Sequence, residues 1–100
     1  MSRQNWLKSG SMPGTGALIT ITTGFKPRKV ELFNSAGLAK AEKTDTMLAD
    51  SSYKTITAGT ATYPADLITL TANGFTIGTD SDLNVAGEDL HWVAHQAQND

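Results

Sequence analysis

Apolar residues in this chain come in short alternating runs, and turn-forming residues stop each run within a few positions. In residues 17–23, Leu18 and Thr20 fall on one side, Ile19 and Ile21 on the other, and Thr22 returns to the wet side. Residues 28–34 set Val30 and Leu32 against Glu31 and Phe33. Residues 53–57 set Tyr53, Thr55 and Thr57 against Lys54 and Ile56, and 67–71 set Leu67, Thr69 and Thr71 against Ile68 and Leu70. Successive side chains of extended backbone point to opposite faces, so a period of two marks strands with one buried face. Many short strands with frequent turns predict an antiparallel sandwich or barrel.

About eight strands follow from this reading, in an all-β antiparallel β-sandwich or jelly roll. Residues 4–9 form a first short strand with Trp6 as its anchor. Residues 10–16 are a Gly/Pro loop. Residues 38–47 lean both ways: Ala-Lys-Ala-Glu-Lys favours helix, whereas Thr44 and Thr46 favour strand, and a helical turn near 46–51 fits too. Strand is the expectation there, because the neighbours are strands. Ala72-Asn73-Gly74 predicts a hairpin turn, since Asn and Gly both accept positive φ. Phe75 begins a short return strand, 78–87 is a polar loop, and 89–96 is the last strand. The chain therefore divides into an extended N-terminal arm with its loop at 1–16, a sandwich at 17–96, and a tail at 97–100. No fixed repeat and no strand–helix alternation appears, which argues against a solenoid or a doubly wound sheet.

One hundred residues fit a single domain. Charged residues are only 18% of the chain, and threonine is the commonest residue. Threonine suits the wet face of a sheet, where its β-branch favours extended backbone. The net charge of −2 and a single basic cluster, Lys26, Arg28 and Lys29, leave no stripe for a polyanion, so no nucleic-acid partner is expected. There is no cysteine, which excludes disulfides, zinc–thiolate sites and cysteine nucleophiles. The N-terminus lacks an apolar signal core and no apolar run approaches ~18 residues, so no membrane partner is expected.

The candidate chemistry is sparse. His91 and His95 stand four apart, which would place them on one face of a helix but about 13 Å apart on a strand, too far to share a metal ion. Asp80-Ser81-Asp82-Leu83-Asn84 resembles the start of a calcium loop, with oxygen donors at alternate positions. An EF-hand then needs Gly at the sixth position and Glu at the twelfth, where this chain has Val85 and His91, with Glu88 at the ninth. No Gly-x-Ser-x-Gly elbow, dinucleotide loop or carboxylate pair stands out. Neither an enzyme, a cofactor nor a metal is expected. A metal enzyme on a cupin-like jelly roll would require His91 and His95 to share an ion. Trp6, near the chain end ahead of the glycine loop, either folds back on its own sheet or anchors a neighbouring subunit, and in the second case Leu7, Met12 and Pro13 are interface candidates with it.

Two segments carry a resemblance. Gly24-Phe25-Lys26-Pro27-Arg28-Lys29-Val30 is one; the other runs from Asn73-Gly74-Phe75-Thr76-Ile77-Gly78 through Asn84 and Gly87 to His91-Trp92-Val93-Ala94. Over about residues 24–95 the chain is similar to small virion proteins of tailed bacteriophages and prophages, jelly-roll-like domains that decorate capsids or serve as tail and fibre modules. The resemblance implies a capsid decoration or cement protein that binds over capsomer joints. Its expected partners are the major capsid protein and other copies of itself in a homotrimer, and its place is the capsid surface after assembly in the host cytoplasm. The alternative is a tail, baseplate or fibre module that binds host glycans. The resemblance carries no catalytic residues.

Overall fold

The computed structural model describes residues 7–48 and 51–96. Nine strands are found among them: β1 (Leu7–Pro13), β2 (Ile19–Thr22), β3 (Pro27–Asn34), β4 (Ala39–Thr44), β5 (Tyr53–Thr55), β6 (Ala61–Thr62), β7 (Ile68–Thr71), β8 (Gly74–Ile77) and β9 (Asp89–Gln96). They form a six-stranded sheet in the order β1-β9-β3-β4-β5-β6 and a three-stranded sheet in the order β2-β8-β7. Every strand pairing is antiparallel. The protein is an all-β, sandwich-like structure, as the alternating runs predict.

The small sheet displays the period of two most simply. Its register stacks Ile19, Ile77 and Ile68 in one row and Ile21, Phe75 and Leu70 two residues along. Both rows face the core, and the rows between them are Thr20, Thr76, Thr69 and Thr22, Gly74, Thr71. The large sheet answers with Val30, Leu32, Ala39, Ala41, Leu90 and Ala94, all buried. Phe75 sits between the layers with no exposed surface and meets Trp92 edge-on at 5.5 Å. Burying a side chain of that size stabilises the fold by roughly 1.5–3 kcal/mol, and the ring pair adds about 1 kcal/mol.

Two sequence expectations change, and a third, the strand at 38–47, holds. Residues 10–13, expected as loop, continue β1, which is hydrogen-bonded to β9 as the edge strand of the large sheet. Gly10 makes this possible, because a Cβ there would stand 2.9 Å from the Trp92 ring. Pro13 is the strand's last residue, on a sheet edge where proline's missing N–H is tolerated. The ambiguous 38–47 segment is strand at Ala39–Thr44, followed by a turn; residues 49 and 50 of the suggested helical turn lie outside the described residues. The hairpin turn is present on Ala72 and Asn73, but Gly74 already belongs to β8 and neither Asn73 nor Gly74 is at positive φ. Gly74 is needed for a different reason: a Cβ would lie 1.9 Å from the Ile21 carbonyl oxygen.

The chain crosses from the small sheet to the large one between β8 and β9, and Asn84 fixes that crossing. Its Oδ1 accepts from the Thr15 and Gly16 N–H groups at 2.9 and 3.1 Å, and its Nδ2 donates to the Ala17 and Gly78 carbonyls at 2.6 and 2.9 Å. Asn34, also buried, donates to the Asp82 carbonyl and to Glu88 Oε1, both at 2.9 Å, while its Oδ1 accepts from Ala36 and Gly37. Buried polar groups cost free energy unless paired, and these two are fully used. Replacing Asn84 with Ala removes four hydrogen bonds and should lower stability by about 3 kcal/mol. A shift in the urea midpoint at unchanged slope is the readout; a loss under about 1 kcal/mol would mean that water replaces the amide.

Candidate functional site

The calcium-like segment already holds a cation. Lys54 lies in β5 in phase with the inward-facing residues, and its ammonium donates to Asp80 Oδ2 at 2.8 Å and Asp82 Oδ2 at 2.7 Å. The other Asp80 oxygen, Oδ1, accepts from the Asp82 and Leu83 N–H groups, which makes the segment a capped turn. Asn84, the third donor in the motif, points into the crossing described above. Desolvation opposes the Lys54 charge, but hydrogen bonds and attraction from Asp80 and Asp82 outweigh it and raise the pKa above the ordinary 10.5. Among the described residues no group of three or more His, Cys, Asp or Glu side chains could hold a metal ion.

His91 and His95 lie on β9, so the strand reading of their spacing applies. Both face away from the core, on the outer side of the large sheet. His91 Nε2 is 3.1 Å from Ser35 Oγ, and its ring is tilted against Phe33 at a centroid distance of 6.3 Å. His95 Nε2 is buried without a hydrogen-bond partner among the described residues, 3.6 Å from Glu31 Oε1.

The same outer face carries Leu7, Phe33 and Tyr53, with about half of each side chain in solvent, and an ion-pair cluster in which Lys29 lies 3.4 Å from Glu31 and 3.6 Å from Glu42. Of the interface candidates, Leu7 and Pro13 lie exposed on the outer side of β1. Met12 turns the other way, half-buried against the core. Trp6 lies outside the described residues. Comparison with protein-family models, curated proteins and solved structures finds no match.

Sequence reasoning missed two inward lysines. Lys43 is 2% exposed and donates to the Leu48 and Ser51 carbonyls at 2.6 and 2.8 Å. The signal was their phase: Lys43 alternates with Ala39 and Ala41, and Lys54 with Ile56. Replacing Lys54 with Met leaves two carboxylates without their cation, and the expected loss is about 2 kcal/mol, discounted because Asp82 is half in solvent. The raised lysine pKa gives the sign with pH: its contribution is complete below 10.5 and fades as pH climbs through the higher folded value. The stability gap between wild type and Lys54→Met, read by urea unfolding, should therefore narrow above that pH and stay open below it.

Proposed function

We propose that the chain is a structural protein of a tailed-bacteriophage virion, a decoration protein that docks on the major capsid protein along β1. The observation that carries this reading is the free edge of β1, seven residues long, with Leu7 and Pro13 exposed beside it. Among the described residues no strand pairs with its backbone on the side away from β9, and its outward row Leu7, Ser9, Ser11, Pro13 bears no charge. Lys8 points to the inner side instead, where an inward charge disfavours pairing with an arbitrary strand and leaves room for a matched one.

The residues behind the resemblance support the same reading, because they meet backbone demands. Pro27 opens β3, Gly74 and Gly78 allow carbonyl approaches that a Cβ would block, Gly87 has φ 84°, Asn84 ties the crossing, and Trp92 covers Gly10. A pattern made of such positions follows a scaffold rather than a reaction. The low charge fits docking that leaves few ions unpaired. Trimerisation on the shell would let weak single contacts add up.

The test is co-sedimentation of the purified protein with phage heads lacking it. Leu7→Asp should fold normally and bind roughly tenfold or more weakly, the equivalent of losing one buried leucine. Undiminished binding of that variant would contradict docking along β1. A count in the tens of copies per virion, rather than hundreds, would favour the tail.

A further inference from the structure

The outer face of the large sheet holds an open trough of about 300 Å³ across β9, β3 and β4. Its floor is flat, because Leu32, Ala41 and Trp92 line it while their side chains belong to the core side of the register. Two rows of side chains stand on that floor. Lys40, Phe33 and His91 form one, and Glu42, Glu31 and Val93 form the next. The trough is thus an aromatic platform beside a pair of carboxylates.

Each part restricts what can sit there. Phe33 is 40% exposed, so a ligand with an apolar face can lie on it. Among the described residues Glu31 and Glu42 pair only with Lys29, at 3.4 and 3.6 Å, beyond good hydrogen-bonding distance, and the His95 ring nitrogen stands 3.6 Å from Glu31. Their oxygens are therefore ready to accept from hydroxyl donors. The charges of Lys29 and Lys40 balance those of Glu31 and Glu42, so neither a polyanion nor a polycation gains from the site. A flat, neutral ligand with one apolar face and a rim of hydroxyls meets all of these conditions. The volume is at the small end of ligand sites.

We infer that this trough binds a neutral saccharide, with Phe33 stacked on a pyranose face and Glu31 and Glu42 accepting from its hydroxyls. A sugar with equatorial substituents is favoured, because it keeps one ring face clear for the aromatic. The inference goes beyond docking along β1 and uses a different part of the sheet, so either can fail alone.

Nuclear magnetic resonance of the ¹⁵N-labelled chain, titrated with cellotriose and separately with chitotriose, tests it. The expected result is millimolar binding to at least one of them, with amide shifts confined to Glu31, Phe33, Lys40, Glu42 and His91. Phe33→Leu, which keeps a bulky apolar side chain but removes the aromatic face, should weaken that binding roughly tenfold. Leu18→Ala, at an exposed position just before the small sheet, should leave it unchanged. The absence of shifts with both sugars, shifts that survive Phe33→Leu unaltered, or shifts produced by an uncharged peptide and by neither sugar would each overturn the proposal.

Discussion

Between Ile77 and Asp89 the chain has to leave one sheet, round the edge of the sandwich and enter the other. Backbone hydrogen bonds close only part of that passage, at the Gly14–Ala86 bridge and at Gly78, and side chains close the rest. Asn84 binds the crossing to residues 15–17 and to Gly78, Asn34 binds it to the turn after β3, and Lys54 reaches from β5 to grip Asp80 and Asp82. Three parts of the chain distant in sequence meet there. The inner rows of isoleucine, phenylalanine and leucine bury themselves only if the two sheets hold their relative register, and this polar knot is what sets it.

The knot also explains why a segment with the look of a cation loop has none of its chemistry to spare. Asp80 and Asp82 share one ammonium from the same chain, and Asn84 spends both ends of its amide on backbone groups. What remains outside is surface: a threonine face on the small sheet, and on the large one a mixture of loose ion pairs and half-exposed Leu7, Phe33 and Tyr53. Exposed ion pairs of that kind contribute little to stability. Such a face is the common ground of the proposed docking along β1 and the proposed saccharide binding in the trough.

Much of the fold was legible because strand period is written locally. Residues 28–34 and 89–96 alternate so regularly that strand and facing follow at once, and β3 and β9 are found there as neighbours. The second half of β1 was hidden because its fitness depends on a residue far away: Gly10 reads as a loop signal until Trp92 is seen lying over it. The positive φ expected of Gly74 misled for a similar reason, since the glycine answers to Ile21 of another strand rather than to its own φ. The lysine clamp was half legible. A lysine in the apolar phase of a strand demands a buried partner, but nothing local says that the partner is an aspartate pair twenty-six residues on. The trough is a matter of register between three strands, and sequence spacing alone does not bring Phe33, Glu42 and His91 together.

Amide hydrogen exchange tests the role of the crossing most directly. Thr15 and Gly16 belong to an exposed loop and would exchange quickly if that loop opened independently. Held by Asn84, their amides should instead exchange only with global unfolding, with protection matching that of Val30 and Ala94 in the central strands. Exchange of Thr15 and Gly16 orders of magnitude faster than the central strands would contradict the crossing as the constraint that joins the two sheets.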